Sequence, residues 1–253
     1  TFVWFERRAR DVEAVWRFYQ GVFGWERGEP EPAWGAPPGH GAALVRVGGA
    51  HLGRIAPADS RVPSAGPWIG YVAVHDLDAA VAGAARAGGR TSQPPAELPG
   101  RGRYAVLLDP GGAAFAAVQW MRAPGPPLPT GPLAFCWSEL LTPDPEPAAQ
   151  FCSRVFGWTQ DVGEPNPQGP YWLLRRAGRA IAGVVRRAAD AEIGPGWLHY
   201  VRIPQIDAAA RRATRLGGTL LLRPTLAPRA GRFAVLADPE GVPIALFEGR
   251  AGR

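Results

Sequence analysis

The chain writes Val-Phe-Gly-Trp twice, in "GVFGWERG" at 21–28 and in "RVFGWTQD" at 154–161. The echo extends well beyond this tetrapeptide. Sliding the chain along itself brings Trp4 onto Trp137, Glu6 onto Glu139, Asp11 onto Asp144, Phe18 onto Phe151 and Trp25 onto Trp158, all at an offset of 133 (137 − 4). Further along, the offset becomes 129 (197 − 68). It brings Trp68 onto Trp197, Tyr71 onto Tyr200, Asp78 onto Asp207, Gly88-Gly89 onto Gly217-Gly218 and Asp109-Pro110 onto Asp238-Pro239. Repetition at a fixed spacing means one structural unit used more than once. Two equivalent halves are expected, differing by a net four residues in one loop (133 − 129). "MRAPGPPLPTGP", 121–132, reads as a Pro/Gly-rich linker between a domain at 1–120 and a domain at 133–253.

Each half repeats again, more faintly. "WFERRARDVEAV" (4–15) resembles "IGYVAVHDLDAAV" (69–81), and "WSELLTPDPEPA" (137–148) resembles "LHYVRIPQIDAA" (198–209). Each copy opens on a short strand. Asp11, Asp76 and Asp144 then stand at helix N-cap positions, where a side-chain oxygen accepts from the first free N–H groups. The fourth copy has Gln205 there, with Asp207 in the first turn, where its charge suits the helix dipole. In "DVEAVWRFYQGVFGW", Val12, Val15, Phe18, Tyr19 and Val22 form an apolar stripe at helical spacing, and Gly24 reads as the helix stop. Turn-rich strand segments follow each helix. The unit is β-α-β-β-β, four copies in all, and the fold class is α+β.

Composition narrows the function classes. No apolar run approaches the ~20 residues of a membrane span, and "TFVWFERRARD" reaches charge at once, without the apolar core of a signal peptide. A cytoplasmic location and no membrane partner are expected. The net charge is +6, yet all 28 basic residues are arginine and they are scattered, without a basic, aromatic-interleaved stripe. No nucleic-acid partner is expected. Cys136 and Cys152 form no CxxC and no Cys/His cluster, so they read as free buried thiols. No GxGxxG, GxSxG, HExxH or P-loop pattern occurs.

The four units, the VFGW helix ends and the closing "GRFAVLADPEGVPIALFE" together resemble the vicinal-oxygen-chelate superfamily: glyoxalase I, extradiol dioxygenases and bleomycin-resistance proteins. The resemblance covers nearly the whole chain. It implies that units pair and curl into cups, so that the chain forms two tandem cup-shaped glyoxalase-like domains, a fused pseudo-dimer that works as a monomer.

The resemblance also implies metal-ligand sites on four cup-facing positions, and this chain departs from them. Seven residues before the capping Asp stand Trp4 and Trp137. The next units place Ile69 and Leu198, the fourth strand comes near Ile55 and Val185, and the last strands carry Gln119 and Glu248. His199 lies one residue from a ligand site, where alternation turns it out of the cup. His40, His51 and His75 fall elsewhere. No cofactor is therefore expected; the alternative is a divalent metal held by His199, Glu248 and Glu139.

What the cups share is Trp4, Glu6, Tyr71 and Gln119 in the first, and Trp137, Glu139, Tyr200 and Glu248 in the second. Those residues make an apolar, aromatic pocket with a few polar groups, the make-up of a small-molecule site. The aromatics serve equally as cup-filling core. Arg8 and Arg202 are candidate partners for the two glutamates. Arg103 and Arg232 would either meet an anion at a cup rim or pin their own hairpins. The expected function is metal-independent binding of an apolar or aromatic metabolite. The alternative is a divalent-metal lyase or dioxygenase using the second cup. Sequestration of a cationic drug would suit an acidic cleft, against the basic net charge.

Overall fold

The VFGW repeat is a helix stop followed by an aromatic clasp. The computed structural model describes residues 1–29, 41–58, 67–122, 128–163, 169–228 and 230–250. Its first unit comprises β1 (Phe2–Ala9), α1 (Val12–Phe23), β2 (Glu26–Gly28), β3 (Ala43–Val47) and β4 (Ala50–Pro57). The second comprises β5 (Ile69–Ala73), α2 (Leu77–Arg86), β6 (Arg90–Leu98), β7 (Gly102–Leu108) and β8 (Ala114–Trp120). The third is β9 (Phe135–Thr142), α3 (Pro145–Phe156), β10 (Thr159–Val162), β11 (Trp172–Arg176) and β12 (Arg179–Arg186). The fourth is β13 (Gly196–Arg202), α4 (Ile206–Arg215), β14 (Thr219–Ala227), β15 (Gly231–Ala237) and β16 (Pro243–Gly249). Gly24 (φ 71°) and Gly157 (φ 65°) end α1 and α3 in the left-handed conformation that glycine adopts without a Cβ clash. That turn brings Phe23 against Trp25, with ring centroids 4.7 Å apart, and Phe156 against Trp158 at 4.6 Å.

The helix starts follow the expected caps in two cases. Asp11 accepts from Ala14 N and Asp76 from Ala79 N, each at 2.9 Å. Asp144 makes no such bond. The third helical residue of α3 is Pro147, which has no N–H to give. Pro145 at the first helical position supplies the preset φ instead.

Each half forms one eight-stranded sheet, ordered β2-β3-β4-β1-β5-β8-β7-β6 and β10-β11-β12-β9-β13-β16-β15-β14. The centre of each is an antiparallel pair, β1 with β5 and β9 with β13, flanked by parallel neighbours. All four helices lie on one face of their sheets, and they meet across the halves, α1 against α4 and α2 against α3. Two core clusters therefore draw on both halves. One joins Phe5, Tyr19 and Trp25 to Phe135, Ile206 and Leu246; the other joins Leu77 and Phe115 to Phe151 and Trp158. The opposite sheet faces carry two further clusters, each built from one half alone, around Trp4 and Tyr71 and around Leu198 and Tyr200. Those are the two cups, on the outer faces of the molecule.

A buried polar chain locks the halves. The Arg7 guanidinium, fully buried, meets the Asp238 carboxylate at 3.0 Å and Glu240 at 2.9 Å. Tyr19 donates to Asp238 at 3.0 Å, and Trp68 Nε1 donates to Tyr19 at 2.8 Å. Glu240 also accepts from the backbone N–H groups of Arg10 and Asp11. The "DPEG" turn thus does more than reverse the chain: it grips the entry to α1 of the other half.

Candidate functional site

Strand alternation places Trp4, Glu6 and Arg8 on the first cup face and Phe5, Arg7 and Ala9 on the helix side. Glu6, 1% exposed, is held from three directions. Arg8 Nε donates to it at 2.8 Å, Arg54 Nε at 2.6 Å and the Tyr71 hydroxyl at 2.9 Å. Arg8 continues to Gln93, and Gln93 to Tyr104. Burial works against the charge of Glu6, but the two guanidinium groups overcome it and hold the carboxyl at about 2. Trp4 is 1% exposed and Tyr71 3%, and the partly buried Trp120 packs against the cluster they belong to. The first cup is filled and electrically closed.

The second cup keeps the carboxylate and loses its partners. The strand pairings that set Arg54 opposite Glu6 set Gly183 opposite Glu139. By the same register Leu141 replaces Arg8, Leu222 replaces Gln93, Phe233 replaces Tyr104 and Gly249 replaces Trp120. Gly183 has a steric role as well: a Cβ there would lie 2.0 Å from the Tyr171 hydroxyl. Tyr171 uses the space to donate to Glu139 at 2.6 Å, while Tyr200 donates to the other carboxylate oxygen. Trp137 Nε1 donates in turn to Tyr171 at 3.0 Å. Burial without a guanidinium raises the Glu139 pKa, the three hydrogen bonds only tempering the effect. Trp137, Tyr171, Phe233 and Phe247 remain partly exposed.

Trp4, Glu6 and Tyr71 therefore come together in one cup, and Trp137, Glu139 and Tyr200 in the other. Gln119 and Glu248 do not join them. On β8 and β16 the cup-facing residues are Val118 and Phe247, and the next residue points to the helices. Gln119 accepts from Leu77 N at 3.0 Å and Glu248 from Ile206 N at 3.2 Å, capping α2 and α4. Ile55 likewise packs on the helix side. Of the candidate arginine partners, Arg8 pairs with Glu6, but Arg202 sits over the Phe247 ring at 5.7 Å. Arg103 and Arg232 pin their strands to the helices through Asp78 and Asp207. Tyr171, Arg54 and Gly183 were missed from sequence; offset 129 does set Arg54 against Gly183, but that each stands opposite its own glutamate is visible only in the strand register.

His199 faces away from the cup, as strand alternation requires. Its Nδ1 lies 2.8 Å from Ser138 Oγ, and its ring is walled by Phe2 and Phe5 at 5.4 and 4.8 Å. Burial pushes the imidazole down to about 3. The Ser-His pair has the residue types of a nucleophile and its base, but it is sealed between the sheets. Burial also raises both thiols, Cys136 to about 11, which makes them poor nucleophiles. His51 lies on β4, His75 precedes α2, and His40 lies outside the described residues. Among the described residues no three His, Cys, Asp or Glu side chains converge as metal ligands. A catalytic metal of the usual kind needs three. His199, Glu248 and Glu139 do not supply them, because the first two project from the opposite face of the sheet to Glu139.

The sequence model of the Glyoxalase/Bleomycin resistance protein/Dioxygenase superfamily matches residues 1–117, and that of the Glyoxalase-like domain matches residues 136–247. A putative glyoxylase, CFP32, of Mycobacterium tuberculosis (strain CDC 1551 / Oshkosh) is 32% identical over 241 residues, which is 94% of this chain and 90% of that protein. The chain belongs to the glyoxalase/bleomycin resistance protein/dioxygenase superfamily. The anthracycline biosynthesis protein DauV of Streptomyces sp. (strain C5) is 30% identical over 260 residues, 97% of this chain and 92% of the relative. Among solved structures, 2,2',3-trihydroxybiphenyl 1,2-dioxygenase from Sphingomonas wittichii strain RW1 is similar with a TM-score of 0.65 and 18% identity, over 98% of this chain and 89% of that one. The Mn(II)-bound glyoxalase from Novosphingobium aromaticivorans gives a TM-score of 0.62 at 17% identity, over 98% and 80%. At these identities the structural likeness concerns the fold.

Proposed function

We propose that the protein binds an apolar or aromatic metabolite in its second cup, without a metal, as a monomer in the cytoplasm. The observation that carries this reading is the contrast around one pair of glutamates. Glu6 is neutralised by Arg8 and Arg54 among the buried rings of Trp4 and Tyr71, whereas Glu139 is bonded by tyrosine hydroxyls and not by a guanidinium, among partly exposed Trp137, Tyr171, Phe233 and Phe247. A pocket of aromatic surface with a few convergent polar groups suits a small organic ligand. Relatives named for anthracycline biosynthesis favour an aromatic occupant. Metal independence rests on the donor set: the second cup offers Glu139 as its lone carboxylate among the described residues, with tyrosine and tryptophan around it. The rival reading, a divalent-metal lyase or dioxygenase, draws on relatives that include a Mn(II)-bound glyoxalase.

Thermal shift and tryptophan fluorescence with a panel of phenols and aromatic acids and amines test the site. Trp137→Ala should weaken binding by about 1–3 kcal/mol through lost stacking area. Ligands whose affinity ignores that substitution would move the site elsewhere. Metal analysis of the purified protein decides between the two readings, since one stoichiometric ion would favour the metal enzyme.

A further inference from the structure

The first cup shows what a carboxylate at this position requires. Taken from water, it draws two guanidinium groups and a hydroxyl. In the second cup the guanidinium positions are Leu141 and Gly183, and among the described residues no cation takes their place beside Glu139. Two hydroxyl dipoles satisfy the oxygens of Glu139 as acceptors, but they leave its charge uncompensated when it ionises. Both tyrosine protons are committed to Glu139, and the Tyr171 oxygen already accepts from Trp137 Nε1, so the Tyr200 oxygen is the one with its lone pairs to offer. The walls are the rings of Trp137, Tyr200, Phe233 and Phe247; Phe247 already carries the Arg202 guanidinium, and the faces of the other rings can attract a cation.

Among the described residues, the surrounding elements bring no cation into contact with Glu139. β9 contributes Trp137, Leu141 and the neutral thiol of Cys136; β12 contributes Gly183; β13 contributes Leu198 and Tyr200; β15 and β16 contribute Phe233 and Phe247. Tyr171 comes in just before β11. The next cation along β13 is Arg202. Its guanidinium reaches the cup wall, 5.7 Å from the centre of the Phe247 ring and close enough to Cys136 to act on its thiol, but it forms no ion pair or hydrogen bond with Glu139.

From this geometry we propose that the second cup recognises an aromatic molecule bearing a protonated amine, the ammonium group docking on Glu139 within the aromatic walls. The inference rests on the second cup being the binding site, and it names the ligand class. The basic net charge of the chain does not oppose it, because the field a ligand meets inside a cup is set chiefly by the groups lining it. Occupation requires Glu139 ionised, and burial raises its pKa, so binding strengthens with pH until the amine itself loses its proton.

Three probes of one shape separate the possibilities: 2-naphthylmethylamine, 2-naphthylmethanol and 2-naphthoic acid, titrated calorimetrically between pH 5 and pH 8. The amine should bind about tenfold or more tightly than the alcohol, and the acid least of all. Glu139→Gln should bring amine and alcohol within about twofold of each other. Leu141→Arg, which installs the arginine of the first cup, should do the same by another route, and circular dichroism checks that both variants fold. Equal binding of all three probes, or an amine preference that survives Glu139→Gln, would overturn the charge inference and leave the cup as an aromatic site. Failure of all three to bind would overturn both.

Discussion

At the scale of the residue, two glutamates at equivalent positions titrate in opposite directions because their neighbours differ. Glu6 is held at about 2, so it contributes stability that is full above its unfolded value of 4.5 and is lost as pH falls through 4.5 towards 2. Glu139 is raised, so its contribution is full below 4.5 and is lost as pH climbs through its folded value. Urea denaturation of the variants should show both signs. Glu6→Gln strands two buried guanidinium groups and should cost about 3–5 kcal/mol at pH 7. Glu139→Gln keeps one tyrosine hydrogen bond on its carbonyl oxygen and can replace the other with an amide N–H donated to the tyrosine oxygen, and its stability relative to wild type should rise with pH. A Glu139→Gln variant that loses ground as pH rises would contradict the raised pKa. The glutamates themselves were legible from alternation, and Arg8 was named as a candidate partner. The decisive Arg54-for-Gly183 exchange was not, because it lies on a strand reached only through the register of β4 and β12.

At the scale of the element, sequence rules worked where the chemistry was local. The VFGW stop, the Asp11 and Asp76 caps and the outward turn of His199 all follow from backbone conformation and period-two alternation. They failed where one residue of register decided the face. Gln119 and Glu248 were read as cup residues, yet each caps a helix, since a one-residue shift moves a side chain to the other side of a sheet. Asp144 failed as a cap for a different local reason, the missing N–H of Pro147. Gly183 is a test at this scale. Gly183→Ala should displace the Tyr171 hydroxyl and remove one donor from Glu139, costing about 1–3 kcal/mol and altering Trp137 emission. Unchanged stability and emission would mean that Tyr171 does not depend on that space.

At the scale of the whole molecule, the doubled halves were the most legible feature, since the offset pairs land at equivalent places in two halves with the same element order and the same strand order. The way the halves join was not legible. Arg7 meets Asp238, whereas the matching residue of the other half is Leu140, so only long-range folding brings that ion pair together. With the helices of both halves packed on one another, the chain already holds the contacts of a pair, and light scattering should give a mass near 27.0 kDa. A mass near twice that would mean that a further surface is used. The central claim is that two cups of common design have diverged into one closed by its own arginines and one left open around a lone carboxylate. Carbon-13 NMR titration of the glutamate carboxyl groups, assigned with Glu6→Gln and Glu139→Gln, tests it most directly. The Glu6 signal should titrate near 2 and the Glu139 signal above 4.5, and of the two only Glu139 should move when 2-naphthylmethylamine is added. Two signals that titrate together, or a response to the amine at Glu6, would contradict it.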